Sequence, residues 1–100
     1  MYKRQAPPAS IPAIESALRD LLAQVLGLSA ERVGAFTPDT ALFGALPELD
    51  SMAVAGLFTA LEDRFAFILE DNEIDGDLVE SFGSLTAFVT RKLGVTQDHA

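Results

Sequence analysis

Asp50-Ser51-Met52-Ala53-Val54-Ala55-Gly56-Leu57-Phe58-Thr59-Ala60-Leu61-Glu62-Asp63-Arg64-Phe65 is the stretch on which the fold turns. At about 100° per residue, Val54, Leu57, Phe58, Leu61 and Phe65 share one arc. The spacing predicts a helix from about Ser51 to Phe65 with that stripe in the core. Met52, Gly56, Thr59 and Asp63 take the opposite arc, with Ala55 and Glu62 at its border. Asp and Ser are ordinary helix-start residues, so Asp50-Ser51 reads first as a cap. A helix start also presents free N–H groups and a positive dipole end, which favour a phosphate esterified there.

The outer face of this helix has a large apolar residue first, small residues in the middle and acids at the far end. Gly56 costs about 1 kcal/mol relative to alanine in a helix interior, and the core stripe does not require it. Such a face suits a shallow dock for a partner helix or a substrate chain. The plainer account is drift on a tolerant surface.

Outward toward the N-terminus lies an apolar stretch too long for a linker. Residues 28–50 are punctuated by Gly34, Pro38, Gly44 and Pro47, so no long helix fits. Leu28, Val33, Phe36, Leu42, Phe43, Leu46 and Leu49 argue against disorder, and the stretch reads as an ordered, packed loop. Before it, Ser10 opens a first helix with Pro12 in its first turn, where a missing N–H is harmless. Ile11, Ile14, Leu18, Leu21, Leu22, Val25 and Leu26 form its stripe, and Gly27 stops it.

Toward the C-terminus, residues 66–76 form a second connection that ends in the polar run Glu70 to Gly76. Asp77 is expected to cap a short helix through Leu78, Val79 and Glu80. Ser84 is expected to cap a last helix with Leu85, Phe88, Val89 and Leu93 inward. Arg91 and Lys92 suit the dipole in its final turn, and Gly94 ends it. The expected fold is all-α: a four-helix bundle with three longer helices, a short third helix and a long ordered loop between helices one and two. The domain is expected over residues 10–95, with flexible tails at 1–9 and 96–100.

One hundred residues with 49% hydrophobic content suit one compact domain. No apolar run approaches the roughly 18 residues of a spanning helix. No export signal is evident, which favours the cytoplasm. The net charge of −8 is concentrated. Between Glu48 and Glu80 stand ten acids and one base, Arg64, a net −9 in a third of the chain. That field excludes nucleic acid as an expected partner and steers toward basic protein surfaces.

An active site is hard to assemble from this inventory. The sole histidine, His99, is penultimate, and there is no cysteine. A nucleophilic triad and a zinc site therefore lack their parts, and no glycine-rich phosphate cradle is present. Asp71 to Gly76 resembles the start of a calcium loop, but Phe82 stands at the twelfth position, where a bidentate glutamate is needed. That segment reads as a solvated acidic turn. Ser51 remains as the residue with a plausible chemical role, as an attachment point.

Asp50-Ser51-Met52 opening a helix that ends Ala60-Leu61-Glu62-Asp63-Arg64-Phe65 resembles the acyl carrier protein family. Members have Asp-Ser-Leu at the head of the second helix and an Ala-Leu-Glu-Glu-x-Phe type ending. The resemblance covers about residues 11–94 and includes Leu85-Thr86-Ala87-Phe88-Val89. It implies that Ser51 receives 4′-phosphopantetheine from coenzyme A through a phosphopantetheinyl transferase. The arm's thiol would then carry an acyl or aminoacyl group as a thioester. Asp50 would set the loop–helix junction and engage the transferase's metal and hydroxyl chemistry. Met52 would anchor partner enzymes, with Ala55, Gly56 and Thr59 beside it and Glu62 and Asp63 meeting basic residues. The implied partners are an acyl-activating ligase, or acyltransferase and synthase enzymes with basic surfaces.

Many fatty-acid carriers have acids where this chain has Ala53, Ala55 and Gly56, so its recognition face is less charged. The run from Leu46 to Val54 is similar to stand-alone carriers encoded beside exosortase and polysaccharide-biosynthesis systems. The expectation is a monomeric carrier without catalytic activity of its own. The alternative is an unmodified helical interaction module that uses the Met52–Gly56 face.

Overall fold

Ser10 accepts the Ala13 N–H on its Oγ at 3.3 Å, so α1 (Ile11–Leu26) starts where its donors find a cap. The computed structural model describes residues 10–95; the expected tails and His99 lie outside the described residues. α1 ends at Gly27, whose φ of 69° is left-handed and whose N–H reaches Ala23 O. Ile14, Leu18, Leu21, Leu22 and Leu26 are buried, as their spacing predicts. α1 packs against the three other α-helices.

The segment between the first two long helices differs from the expected loop in one respect. Ser29 accepts the Arg32 N–H and opens a five-residue helix, α2 (Ala30–Gly34). It is too short for periodicity to reveal. Leu28, Val33, Phe36, Leu42 and Leu49 are buried, but Leu46 is half-buried and Phe43 is 45% exposed. The loop's backbone polar groups find partners far along the chain. Leu42 N–H and Phe43 N–H donate to Glu80 O and Val79 O, both at 2.9 Å. In return, Phe82 N–H and Gly83 N–H donate to Thr40 O and Pro38 O. A loop tied through its middle in this way is ordered, as its apolar content implies.

α3 (Ser51–Phe65) has the predicted limits. Leu57, Leu61 and Phe65 are buried, whereas Val54 and Phe58 are only half-buried because they border a groove. The helix closes at Ala66 in a left-handed conformation (φ 58°), with its N–H on Glu62 O. Two 3-10 turns follow, η1 (Asp71–Glu73) and η2 (Gly76–Val79). The expected short third helix is thus a 3-10 segment, and its cap is Asp75 rather than Asp77; Asp75 Oδ1 accepts the Leu78 N–H at 3.2 Å.

α4 (Phe82–Leu93) likewise starts earlier than expected. Ser81 is the cap, and Ser84 sits at the third helical position, returning a hydrogen bond to the Ser81 N–H. Gly83, which precedes the expected cap Ser84, lies inside the first turn. α4 buries Phe82, Leu85, Phe88 and Val89, and ends at Gly94. The fold is all-α, with no strand among the described residues.

Candidate functional site

Ser51 is the first residue of α3, exposed to solvent, at the point where the loop hands over to the helix. Asp50 makes that start. Its Oδ1 accepts the Ala53 N–H at 2.8 Å, and its carbonyl accepts the Val54 N–H at 2.9 Å. The amides of Ser51 and Met52 come before the first helical hydrogen bond and take no acceptor among the described residues. Leu49 is 2% exposed and anchors the approach from below.

The cap reading of Asp50-Ser51 therefore holds for the aspartate alone. The serine hydroxyls separate by their partners. Those of Ser10, Ser29 and Ser81 each accept a backbone N–H, and that of Ser84 donates to backbone carbonyls. Among the described residues only Ser16 and Ser51 have hydroxyls without such a bond, and Ser16 lies within α1. Ser51 thus pairs a free hydroxyl with two free amides at a positive dipole end. That donor set fits a phosphodiester, whose charge the helix start favours.

Two clefts border the site. The loop side holds one of about 460 Å³, lined by residues 43–47, Leu49, Asp50 and Ser51. Between α3 and η2 lies a groove of about 150 Å³ lined by Phe43, Val54, Phe58, Ile74, Asp75, Gly76 and Val79. Phe43 borders both. From sequence, Phe43 counted as packed loop and Val54 and Phe58 as core. Only the placement of η2 turns them into groove walls.

The expected recognition face is present as a surface. Met52 is 84% exposed, and Ala55, Gly56, Thr59 and Asp63 are exposed along the same side. Glu62 differs. One of its oxygens accepts the Leu69 N–H at 2.7 Å, bracing the chain just past the helix end.

One further contact had no sequence signal. Arg32 on α2 grips Glu48, three residues before Ser51, through Nη1 to Oε2 at 2.6 Å and Nη2 to Oε1 at 3.3 Å. The hydrogen bond from Arg32 holds the Glu48 carboxyl below the usual glutamate range, and the same bond raises the Arg32 guanidinium. Sixteen residues separate the pair, so neither helical nor strand spacing could have joined them.

Comparison with known proteins agrees with this geometry. The sequence profile of the phosphopantetheine attachment site family matches residues 16–89. Among solved structures, the chain is similar to a holo acyl carrier protein from Nitrosomonas europaea. The two share 46% identity with a TM-score of 0.74, over 81% of this chain and 95% of that one. A search of curated proteins found no match. This chain therefore belongs to the acyl carrier protein family, whose covalent cofactor is 4′-phosphopantetheine.

Proposed function

We propose that the chain is loaded at Ser51 by a phosphopantetheinyl transferase and carries an acyl group among basic-surfaced partner enzymes. The observation that carries the assignment to Ser51 is its free hydroxyl at the capped start of α3, beside two amides without acceptors. When bound, the arm supplies a terminal thiol that holds the cargo as a thioester. The chain's own residues supply the rest. Asp50 fixes the direction of the first turn, and Leu49 anchors the loop beneath it. Met52 offers an exposed apolar side chain for partners to cover, and Asp63 offers a charge at the far end of the same face.

The groove favours acyl over aminoacyl cargo. Phe43, Val54, Phe58, Ile74 and Val79 give it apolar walls, and burying an alkyl chain there gains about 0.8 kcal/mol per CH2. An α-ammonium group would lose hydration against the same walls, of which only Asp75 carries a charged side chain.

The test is intact-mass measurement after incubation with coenzyme A and a permissive transferase. Wild type should gain one arm and Ser51→Ala none; an arm on the alanine variant would place the attachment elsewhere. For the cargo, octanoyl loading should shift the methyl resonances of Val54 and Val79, while alanyl loading should leave them in place. Equal response to both would remove the preference for acyl groups.

A further inference from the structure

We propose that Arg32 is a positioning residue for the loading of Ser51, acting through Glu48; the inference rests on the reading of Ser51 as the attachment point. The serine is joined to the body of the protein on its helical side by Asp50 and α3. On its loop side the chain passes through exposed Pro47 and half-buried Glu48 before reaching buried Leu49. Gly44, at φ 92°, lies at the head of this turn, and the backbone bonds that close it are local. Ala45 N–H and Leu46 N–H reach Leu42 O, and Leu49 N–H reaches Leu46 O. None of them ties residues 45–48 to another element.

Arg32 does. Its two-toothed grip on Glu48 joins the turn to α2, and α2 is itself held. Arg19 on α1 donates from Nε to Val33 O at 3.1 Å and from Nη2 to Phe36 O at 2.9 Å. The same guanidinium lies 5.0 Å from the centre of the Phe82 ring. Two arginines in series thus connect the rigid α1 to the residue three positions before the serine. With both Glu48 oxygens engaged, this acid is tied to its own fold rather than offered to a basic partner. Exposed ion pairs contribute little to stability, so the consequence to expect is geometric.

Geometry matters because loading is an oxygen–phosphorus exchange. The Ser51 Oγ–P bond forms while the pyrophosphate P–O bond of coenzyme A breaks. The adenosine bisphosphate half leaves with that electron pair, and the hydroxyl proton passes to a base of the transferase. A hydroxyl displaced by about 1 Å can lose on the order of a hundredfold in such a step. A partial loosening of the turn should therefore lower the rate of transfer more than it lowers binding.

The experiment compares wild type, Arg32→Ala, Glu48→Gln and the exchanged pair Arg32→Glu with Glu48→Arg. Steady-state arm transfer should show kcat lowered about three- to tenfold in the single variants. KM for the apo-protein should stay within about twofold and Tm within about 2 °C. The exchanged pair should recover most of the rate. In parallel, backbone NMR order parameters at residues 45–48 of the apo-protein should fall in the single variants and recover in the exchanged pair. Single variants that load at the wild-type rate would overturn the proposal. So would an exchanged pair as slow as the worse single variant, since that places the charges in direct contact with the transferase. Unchanged order parameters would overturn it as well. A wild type that gains no arm would instead overturn the reading of Ser51, and the order parameters would still decide whether Arg32 fixes the turn.

Discussion

Gly83 meets Pro38 where the loop comes close to α4. Its N–H donates to Pro38 O at 2.9 Å, and a Cβ placed on Gly83 would stand 2.7 Å from that same oxygen. The obstacle is backbone, so it cannot swing aside as a flexible side chain would. Neighbouring bonds from Phe82 N–H to Thr40 O and from Leu42 N–H to Glu80 O depend on the same approach. Gly83→Ala should therefore destabilise the fold by roughly 1–3 kcal/mol, as overpacking does. Urea denaturation measures it, and a neutral result would mean that the loop yields without cost.

Gly56 presents the opposite case. Apart from its chain neighbours and its own helix backbone, no atom lies within 4 Å of a Cβ built on it. Gly56→Ala should raise stability by up to about 1 kcal/mol through helix propensity alone. If the flat outer face is a partner dock, the same change should slow turnover by the cognate ligase while transfer of the arm continues. Unchanged ligase turnover would mark Gly56 as a tolerated surface position.

Asp50 separates capping from charge. Asp50→Ala removes the acceptor of the Ala53 N–H and should cost about 0.5–2 kcal/mol. Asp50→Asn retains an acceptor and should cost much less. If the transferase also uses the charge, Asn should keep stability yet lower kcat/KM for loading. Paired denaturation and loading assays on both variants check this, and equal loading by Asn and wild type would confine Asp50 to its cap.

Glu73 should give the fold an acid-sensitive component. Its carboxylate accepts the Glu70 N–H at 2.9 Å and the Lys92 ammonium at 3.0 Å. The backbone bond first, then the lysine, holds it below the usual glutamate range. A carboxyl depressed in the folded state contributes stability in full above its unfolded value and loses it as pH falls through its folded value. Urea midpoints should therefore separate wild type from Glu73→Gln at neutral pH and converge in acid. A gap independent of pH would show that the carboxylate charge is not what matters.

The elements most legible in the sequence are those whose information is local. α1 was readable because stripe, cap and stop all lie between Ser10 and Gly27, and α3 because its stripe and its Asp50 cap lie in one segment, although its close at Ala66 carries no sequence signal. The helix start at Asp50-Ser51 was readable for the same reason. Near the C-terminal end the local signals competed. Ser81 and Ser84 can each cap a helix, as can Asp75 and Asp77, and the structure uses the earlier member of each pair. Gly83 can lie within α4 because Pro38 needs the space beside it.

What the sequence determined by itself is the helical class, the two longest helices and a serine delivered to a helix start, all set by periodicity and capping within a few residues. What only the tertiary structure decided lies between distant segments. Phe43 became a wall of two clefts rather than a core residue, because η2 lies across from Val54 and Phe58. Glu48 became the partner of a two-toothed ion pair rather than one more surface acid, because α2 places Arg32 beside it. Hydrogen bonds and groove walls depend on distances in space, and a residue pattern along one segment carries no record of which other segment will lie across from it.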